Sequence, residues 1–131
     1  MKKDLDALMH AHELDALLVM GPGQHNADMV YMTGGGHLTS AYLIKVRDGQ
    51  TVLFYSPMER DEAAKSGLAT RNIQDYNYKK LLEEAGGSAP KALALRYQRM
   101  LADAGVEKGR VGVYGKVSIG PVFAVLSELQ T

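Results

Sequence analysis

The strongest constraint on the fold is a pair of β-branched and aromatic runs separated by a tight-turn dipeptide. The runs span residues 40–46 and 51–55, and Asp48 and Gly49 lie between them. An Asp-Gly pair favours the left-handed backbone that a short hairpin turn requires. The sequence therefore predicts an antiparallel hairpin near the middle of the chain, and the fold must contain a sheet that this hairpin can join.

Short apolar runs and helical repeats alternate on both sides of the hairpin. Residues 15–20 form an apolar run that ends at a Gly-Pro-Gly sequence, which is typical of a buried strand followed by a loop. The same patterns predict strands over residues 69–74 and 111–114, and helices over residues 4–14, 26–32, 56–65, 90–104 and 118–129. A further helix carries Leu81 and Leu82 and stops at Gly86 and Gly87. This alternation predicts an α/β fold, a three-layer α/β/α domain with a mixed sheet of about five strands that includes one antiparallel hairpin.

The amount of apolar sequence is sufficient for one hydrophobic core. The chain has 131 residues, of which 46% are hydrophobic, and this size suits a single domain over residues 1–131. We expect the core of the sheet to contain Leu17, Val19, Leu43, Phe54, Val111 and Val113.

One helix start carries a capping pattern. Ser56 precedes Pro57, and Glu59 follows the serine by three residues. In such a pattern the serine hydroxyl accepts a hydrogen bond from the first turn of the helix, and the proline ring fixes a helical φ angle. The glutamate carboxylate accepts a hydrogen bond from the backbone N–H of the serine. We therefore interpret these residues as a helix cap and not as a catalytic serine.

Charge and cysteine content exclude several classes of function. Fifteen basic residues balance fifteen acidic residues, so the net charge favours neither nucleic acid nor an anionic membrane as a partner. The chain has no cysteine, which excludes disulfides, thiolate metal sites and a cysteine nucleophile. No apolar stretch reaches about 18 residues. We expect a cytoplasmic protein that binds no membrane.

Three incomplete motifs argue against chemistry in this chain. Residues 21–26 begin like a dinucleotide-binding loop, but Asn26 stands where the third glycine is needed. His12 and Glu13 begin an H-E-x-x-H zinc motif that fails at Ala16. No serine lies in a G-x-S-x-G elbow.

A metal site or an acid-base pair would need the loop histidines to converge. His25, Asp28 and His37 are close in sequence and could in principle assemble such a site. Only their proximity supports it, and solvated or structurally bonded histidines are the more common case. We therefore predict no catalytic and no metal-binding residues in this chain.

The order and spacing of the segments resemble those of a known family. The matching parts are residues 14–19, residues 30–34 with the sequence Val-Tyr-Met-Thr-Gly, the hairpin over residues 41–55, residues 58–64 and residues 110–113. Together they resemble the N-terminal domain of the creatinase/prolidase/Xaa-Pro aminopeptidase family, the pita-bread metallopeptidases. The resemblance implies a creatinase N-terminal domain-like fold, which is similar to ribonuclease H.

The resemblance also implies a larger enzyme. Family members bind two divalent metal ions (Mn, Co or Zn) in a catalytic domain, through two Asp, one His and two Glu, and they cleave a bond next to proline. We expect that domain to be absent from this chain, which stops after the last predicted helix. The implied partners are the chain's own catalytic domain, a second subunit in a homodimer, and a proline-containing peptide. The implied activity of the whole protein is that of an Xaa-Pro dipeptidase or aminopeptidase.

The family's N-terminal domain is implied to build the dimer and to restrict access to the neighbouring active site. A glycine-rich loop suits that task, because backbone can approach a partner closely where no Cβ intervenes. We assign the role to Tyr31, Gly34, Gly35, Gly36 and His37. The alternative for these residues is a tight structural loop with Tyr31 packed in the core.

Two other functions remain open from the sequence. The chain could be a stand-alone small-ligand-binding α/β module that uses the loops between residues 21 and 36, or it could be a free-standing enzyme. Fold does not determine function, so the residues and geometry of the site have to distinguish between these alternatives.

Overall fold

The structure is a computed structural model that describes residues 3–22, 25–34 and 38–130. Gly35, Gly36 and His37 lie outside the described residues. In chain order the elements are α1 (Lys3–Ala11), β1 (Ala16–Gly21), α2 (Ala27–Thr33), β2 (Ala41–Val46), β3 (Thr51–Tyr55), a 3-10 turn (Pro57–Glu59), α3 (Arg60–Ala64), β4 (Ala69–Asn72), a second 3-10 turn (Ile73–Tyr76), α4 (Tyr78–Glu84), α5 (Ala89–Ala104), β5 (Val111–Gly115) and α6 (Ile119–Leu129).

The five strands form one mixed sheet in the order β4-β3-β2-β1-β5. Strands β1, β2 and β3 pair antiparallel, whereas β5 pairs parallel with β1 and β4 pairs parallel with β3. The predicted hairpin is confirmed as β2 and β3, with Tyr42 opposite Phe54. Asp48 in its turn has a φ of 56°, the left-handed backbone for which Asp is one of the better-suited residues.

Helices cover both faces of the sheet, which confirms the three-layer prediction. On one face, Leu18, Ile44 and Phe54 pack with residues of α5 and with Val125 of α6. On the other face, Leu43 packs with residues of α2 and α3. Successive side chains of a strand point to opposite faces, and β1 and β2 are apolar on both faces because each face has its own helical layer.

The predicted sheet core is correct at its centre and wrong at one edge. Leu17, Val19, Leu43 and Phe54 are buried. Val111 is partly buried, and Val113 is 39% exposed. Within the described residues, strand β5 lies at the edge of the sheet and pairs with β1 alone, so the side chains toward its carboxyl end have no second strand beside them.

The helix start at Ser56 also differs from the prediction. A helical segment does begin at Pro57, but its first turn is a 3-10 turn and the Ser56 side chain makes no capping hydrogen bond. The Glu59 carboxylate accepts hydrogen bonds from the backbone N–H and the hydroxyl of Thr39. The predicted capping pattern does not form, because the Glu59 carboxylate that would complete it binds Thr39, just before β2.

Helix α1 is attached to the hairpin by a partly buried ion pair. Lys45 Nζ lies 2.8 Å from Asp6 Oδ1 and also donates to the carbonyl oxygens of Val46 and Gly49. Asp6 accepts a second hydrogen bond from the backbone N–H of Asp48. The hydrogen bond from Lys45, followed by that from Asp48, lowers the pKa of Asp6 below its ordinary value of 3.8.

In the part of the chain that the structure describes, no helix has both the length and the apolar composition that crossing a membrane requires.

Candidate functional site

A wide crevice lies where the two parallel strands β1 and β5 end. Its volume is about 810 Å³, and its lining residues are Pro22, His25, Leu38, Thr39, Lys116, Val117 and Ser118. In sheets that contain parallel strands, ligands commonly bind outside the carboxyl ends of those strands. The crevice is therefore a candidate site by its position, and it contains the residues that follow the predicted glycine-rich loop.

Two glycines allow the strand ends at the crevice to approach each other. Gly21 and Gly115 have φ angles of 112° and 123°, which other residues rarely adopt. A Cβ atom on Gly115 would overlap the carbonyl group of Met20, and one on Gly21 would overlap the carbonyl oxygen of Lys116. Lys116 N–H donates to the Met20 oxygen at 3.2 Å. Because both positions lack a side chain, the two loops leave the sheet in close contact.

Asn26 positions the loop after β1, and the sequence did not predict this role. Its side chain is buried, and Nδ2 donates to the carbonyl oxygen of Met20 at 2.8 Å. Its own carbonyl oxygen accepts from Val30 N–H and begins α2. Asn26, which stands where a dinucleotide-binding loop needs its third glycine, thus connects β1 to α2. A buried amide has strong hydrogen-bonding requirements, but nothing in the sequence indicates that Asn26 is buried.

The structure describes two of the five predicted loop residues, Tyr31 and Gly34. Tyr31 lies on α2 and is 45% exposed, so its predicted alternative, packing in the core, is wrong. Gly34 ends α2 with a φ of 83°, and its N–H donates to the carbonyl oxygen of Val30. Leu38 and Thr39, which follow the three residues outside the described range, line the crevice. Tyr31 lines a different cavity.

That second cavity, the α1–α2 groove, lies between α1, α2 and the outer part of the sheet. Its volume is about 290 Å³. The lining is mainly apolar, with polar groups at His12, Asp28, Tyr31 and Tyr114, and the remaining residues are Leu5, Leu8, Met9, Leu14, Leu17, Val19 and Met32. The groove has the mixture of apolar walls and few polar groups that is usual for small-molecule sites.

The described histidines and acids that the sequence suggested for a metal site line different parts of the molecule. His25 lines the crevice, whereas Asp28 lines the α1–α2 groove, and His37 lies outside the described residues. His10 pairs with Asp48 at the hairpin turn. Among the residues that the structure describes, no three His, Cys, Asp or Glu side chains are grouped so that they could hold a metal ion.

Comparison with solved structures finds the same fold in a peptidase. The chain is similar to the prolidase from Pyrococcus horikoshii OT3, with a TM-score of 0.55, 14% sequence identity, and coverage of 98% of this chain and 29% of that chain. A second similar structure is the aminopeptidase P (Xaa-Pro aminopeptidase) from Streptococcus thermophilus, with a TM-score of 0.46, 18% identity, and coverage of 98% of this chain and 94% of that chain.

At 14% identity the likeness to the prolidase concerns the fold alone, and this chain spans about 29% of that protein's length. A search of curated proteins finds no match.

The family described as Creatinase/Prolidase N-terminal domain matches residues 2–128. This range contains every strand of the sheet and both cavities. The chain belongs to the Creatinase/Prolidase N-terminal domain family.

Proposed function

We propose that this chain is the non-catalytic N-terminal domain of a cytoplasmic, metal-dependent Xaa-Pro dipeptidase or aminopeptidase. In this proposal it contributes to homodimer formation and restricts access to the active site of the partner subunit. The observation that carries the proposal is the family match over residues 2–128. The likeness in fold to a prolidase agrees with it.

An exposed apolar surface at one end of the domain supports a role in assembly. Val113, Val117, Ile119 and Phe123 are exposed apolar residues of β5, the loop after it and α6, and we call them the β5–α6 surface; Ile119 and Phe123 are 71% and 66% exposed. Residues 117–127 contain no charged side chain. Large exposed apolar side chains concentrated on consecutive elements are typical of contact sites between proteins, and the absence of charge is typical of the centre of an interface.

The catalytic metals belong, in this proposal, to another domain. Two bridging metal ions need several carboxylates and an imidazole that converge on one point. The described residues of this chain present no such group, so we derive no catalytic step for them. Their role is to support the crevice and the contact surface.

Access restriction is the part of the proposal that concerns the glycine-rich loop. Gly34 leaves α2 in a left-handed conformation, and Thr39 is held by Glu59 at the crevice on the other side of the loop. Both ends of the loop are thus anchored to regular structure. A loop anchored in this way can present backbone and the His37 side chain to a neighbouring cleft.

The reading frame beyond Thr131 tests the proposal directly. It predicts that the coding sequence continues into a segment with spaced Asp, His and Glu ligands. A stop codon at that point would contradict it. In the longer enzyme, His37→Ala should change the Michaelis constant or the preferred substrate length, with thermal stability altered by less than about 0.5 kcal/mol. Unchanged kinetics in a destabilised protein would assign the loop a structural role instead.

A second candidate function is that of a small-ligand-binding module. The observation in its favour is the crevice of about 810 Å³, whose volume lies within the range usual for ligand pockets. Its position between the loops after β1 and β5 agrees with binding by the segment from residue 21 to residue 36. The same reading-frame experiment separates the two candidates.

A further inference from the structure

The α1–α2 groove has an aromatic wall that depends on one glycine. A Cβ atom on Gly112 would meet the Tyr114 ring at 2.8 Å, Leu14 at 3.1 Å and Leu17 at 3.2 Å. The Tyr114 ring therefore lies against the backbone of Gly112 and beside the two leucines. Because Tyr114 is 46% exposed, the ring is supported from below while part of its surface remains open to the groove.

A second tyrosine and a carboxylate line the same groove. Asp28 and Tyr31 are three residues apart on α2, so they lie on one face of that helix. Both side chains are exposed, and both line the groove together with Tyr114. Neither the Asp28 carboxylate nor the Tyr31 hydroxyl bonds to another residue in the described ranges.

The charge of the groove has one sign. No lysine or arginine lines it, and Asp28 is its one carboxylate among the described residues. The remaining titratable lining groups are the imidazole of His12 and the two tyrosine hydroxyls. The described lining residues thus place one carboxylate beside two aromatic rings.

This combination has a clear chemical complement. An ammonium group is attracted by a carboxylate and by the faces of aromatic rings, and the leucine and methionine side chains accept an apolar body. A volume of about 290 Å³ is at the lower end of the range for ligand pockets, so it suits a molecule of about ten non-hydrogen atoms.

We propose that the α1–α2 groove binds a small organic monoamine, with its ammonium group at Asp28 between the rings of Tyr31 and Tyr114 and its apolar body against α1. This site is distinct from the crevice and from the β5–α6 surface, and it does not depend on the function proposed above.

The test is a titration of the isotopically labelled chain, followed by amide chemical shifts, with three matched probes at pH 7.5. The probes are 2-phenylethylamine, the neutral 2-phenylethanol and the anionic 3-phenylpropanoate. We expect saturable shifts at residues of the groove for the amine, with a dissociation constant of about 1 mM or below. The alcohol should bind several-fold more weakly, and the anion should not bind.

Two variants assign the recognition to named groups. Asp28→Asn should weaken amine binding about fivefold, as expected for an ion pair near the surface, and leave alcohol binding unchanged. Tyr31→Leu keeps apolar contact but removes the ring, and it should weaken amine binding about threefold. The control is Asp61→Asn, because Asp61 is an exposed acid on α3 that does not line the groove; it should change nothing.

Several results would overturn the proposal. Equal affinity for amine and alcohol, or an equal loss in Asp28→Asn and Asp61→Asn, would show that Asp28 does not recognise a cation. Absence of saturable shifts at the groove would show that no such ligand binds. If the amide chemical shifts of groove residues changed with protein concentration in the absence of any probe, the groove would be a contact site for a second copy of the chain.

Discussion

The centre of the sheet and the β5–α6 end of the molecule are built from similarly apolar sequence but differ in burial. Strand β1 is buried along its whole length, and in β2 and β3 all but three residues are buried. Strand β5 is partly buried at its start and exposed over its last three residues. Helix α6 has one buried residue, Val125, although most of its sequence is apolar.

Apolar sequence therefore has two uses in this domain. At the centre, strands with neighbours on both sides and helices on both faces bury their side chains, and this burial drives folding. At the β5–α6 end, the same side chains remain in contact with water. Removing them should therefore cost little folding free energy and should affect association instead.

The largest expected effect is at the centre. Phe54 is fully buried, next to Tyr76 and in one core cluster with residues of β1, β2 and α5. Phe54→Ala should lower the free energy of unfolding by about 3–5 kcal/mol. Urea denaturation measures this loss. Phe123→Ala is the matched control, and it should change stability by less than about 1 kcal/mol because the ring is mostly exposed. Similar losses of unfolding free energy in Phe54→Ala and Phe123→Ala would contradict the difference in burial between the two regions.

The next effect concerns the contact between the ends of β1 and β5. Gly115→Ala should lower stability by about 2 kcal/mol or more, since the residue has a positive φ and its Cβ would overlap the backbone of Met20. Gly120 lies in the first turn of α6, where a Cβ would meet nothing within 4 Å. Gly120→Ala should leave stability within about 0.5 kcal/mol. Equal urea midpoints for the two variants would contradict the close approach of the strand ends.

A smaller effect depends on pH and concerns the attachment of α1 to the hairpin. The pKa of Asp6 is lower in the folded chain than its ordinary value of 3.8, so the folded state favours the ionised carboxylate. The stabilisation is fully present above about pH 5 and is lost as the pH falls through the folded pKa, below 3.8.

Asp6→Asn should remove this dependence. Urea midpoints of the wild type and the variant should differ at pH 7 and converge as the pH falls below about 4. Asp61→Asn is the control, because Asp61 is exposed on α3, and its midpoint should follow the wild type throughout. A constant difference between wild type and Asp6→Asn over the whole range would contradict the linkage.

The sequence predicted the regular elements because their signals are local. The Asp-Gly turn, the apolar stripe of α5 and its end at Gly105 all depend on neighbouring residues, and the structure confirms them. Val113 was placed wrongly because an apolar strand pattern does not reveal whether the strand lies at an edge. The Ser56 cap failed because Glu59 is bonded to Thr39, twenty residues away in the sequence.

The candidate site was less predictable because it depends on contacts between residues that are distant in sequence. Its crevice is formed by residues from the loops after β1 and β5 and by two residues that precede β2, and these segments are distant in sequence. The glycine-rich loop indicated one part of this region. Asn26, Tyr114 and Gly112 act through contacts that only the three-dimensional arrangement creates.

The role of the β5–α6 surface in assembly can be measured from the association state of the chain when this surface is made polar. Sedimentation velocity over a hundredfold range of protein concentration should show reversible self-association of the wild type, because this surface is uncovered. The double variant Ile119→Ser and Phe123→Ser should remain monomeric, with stability changed by less than about 1 kcal/mol. A wild type that stays monomeric at every concentration, or a double variant that associates equally well, would contradict the assignment of this surface to assembly.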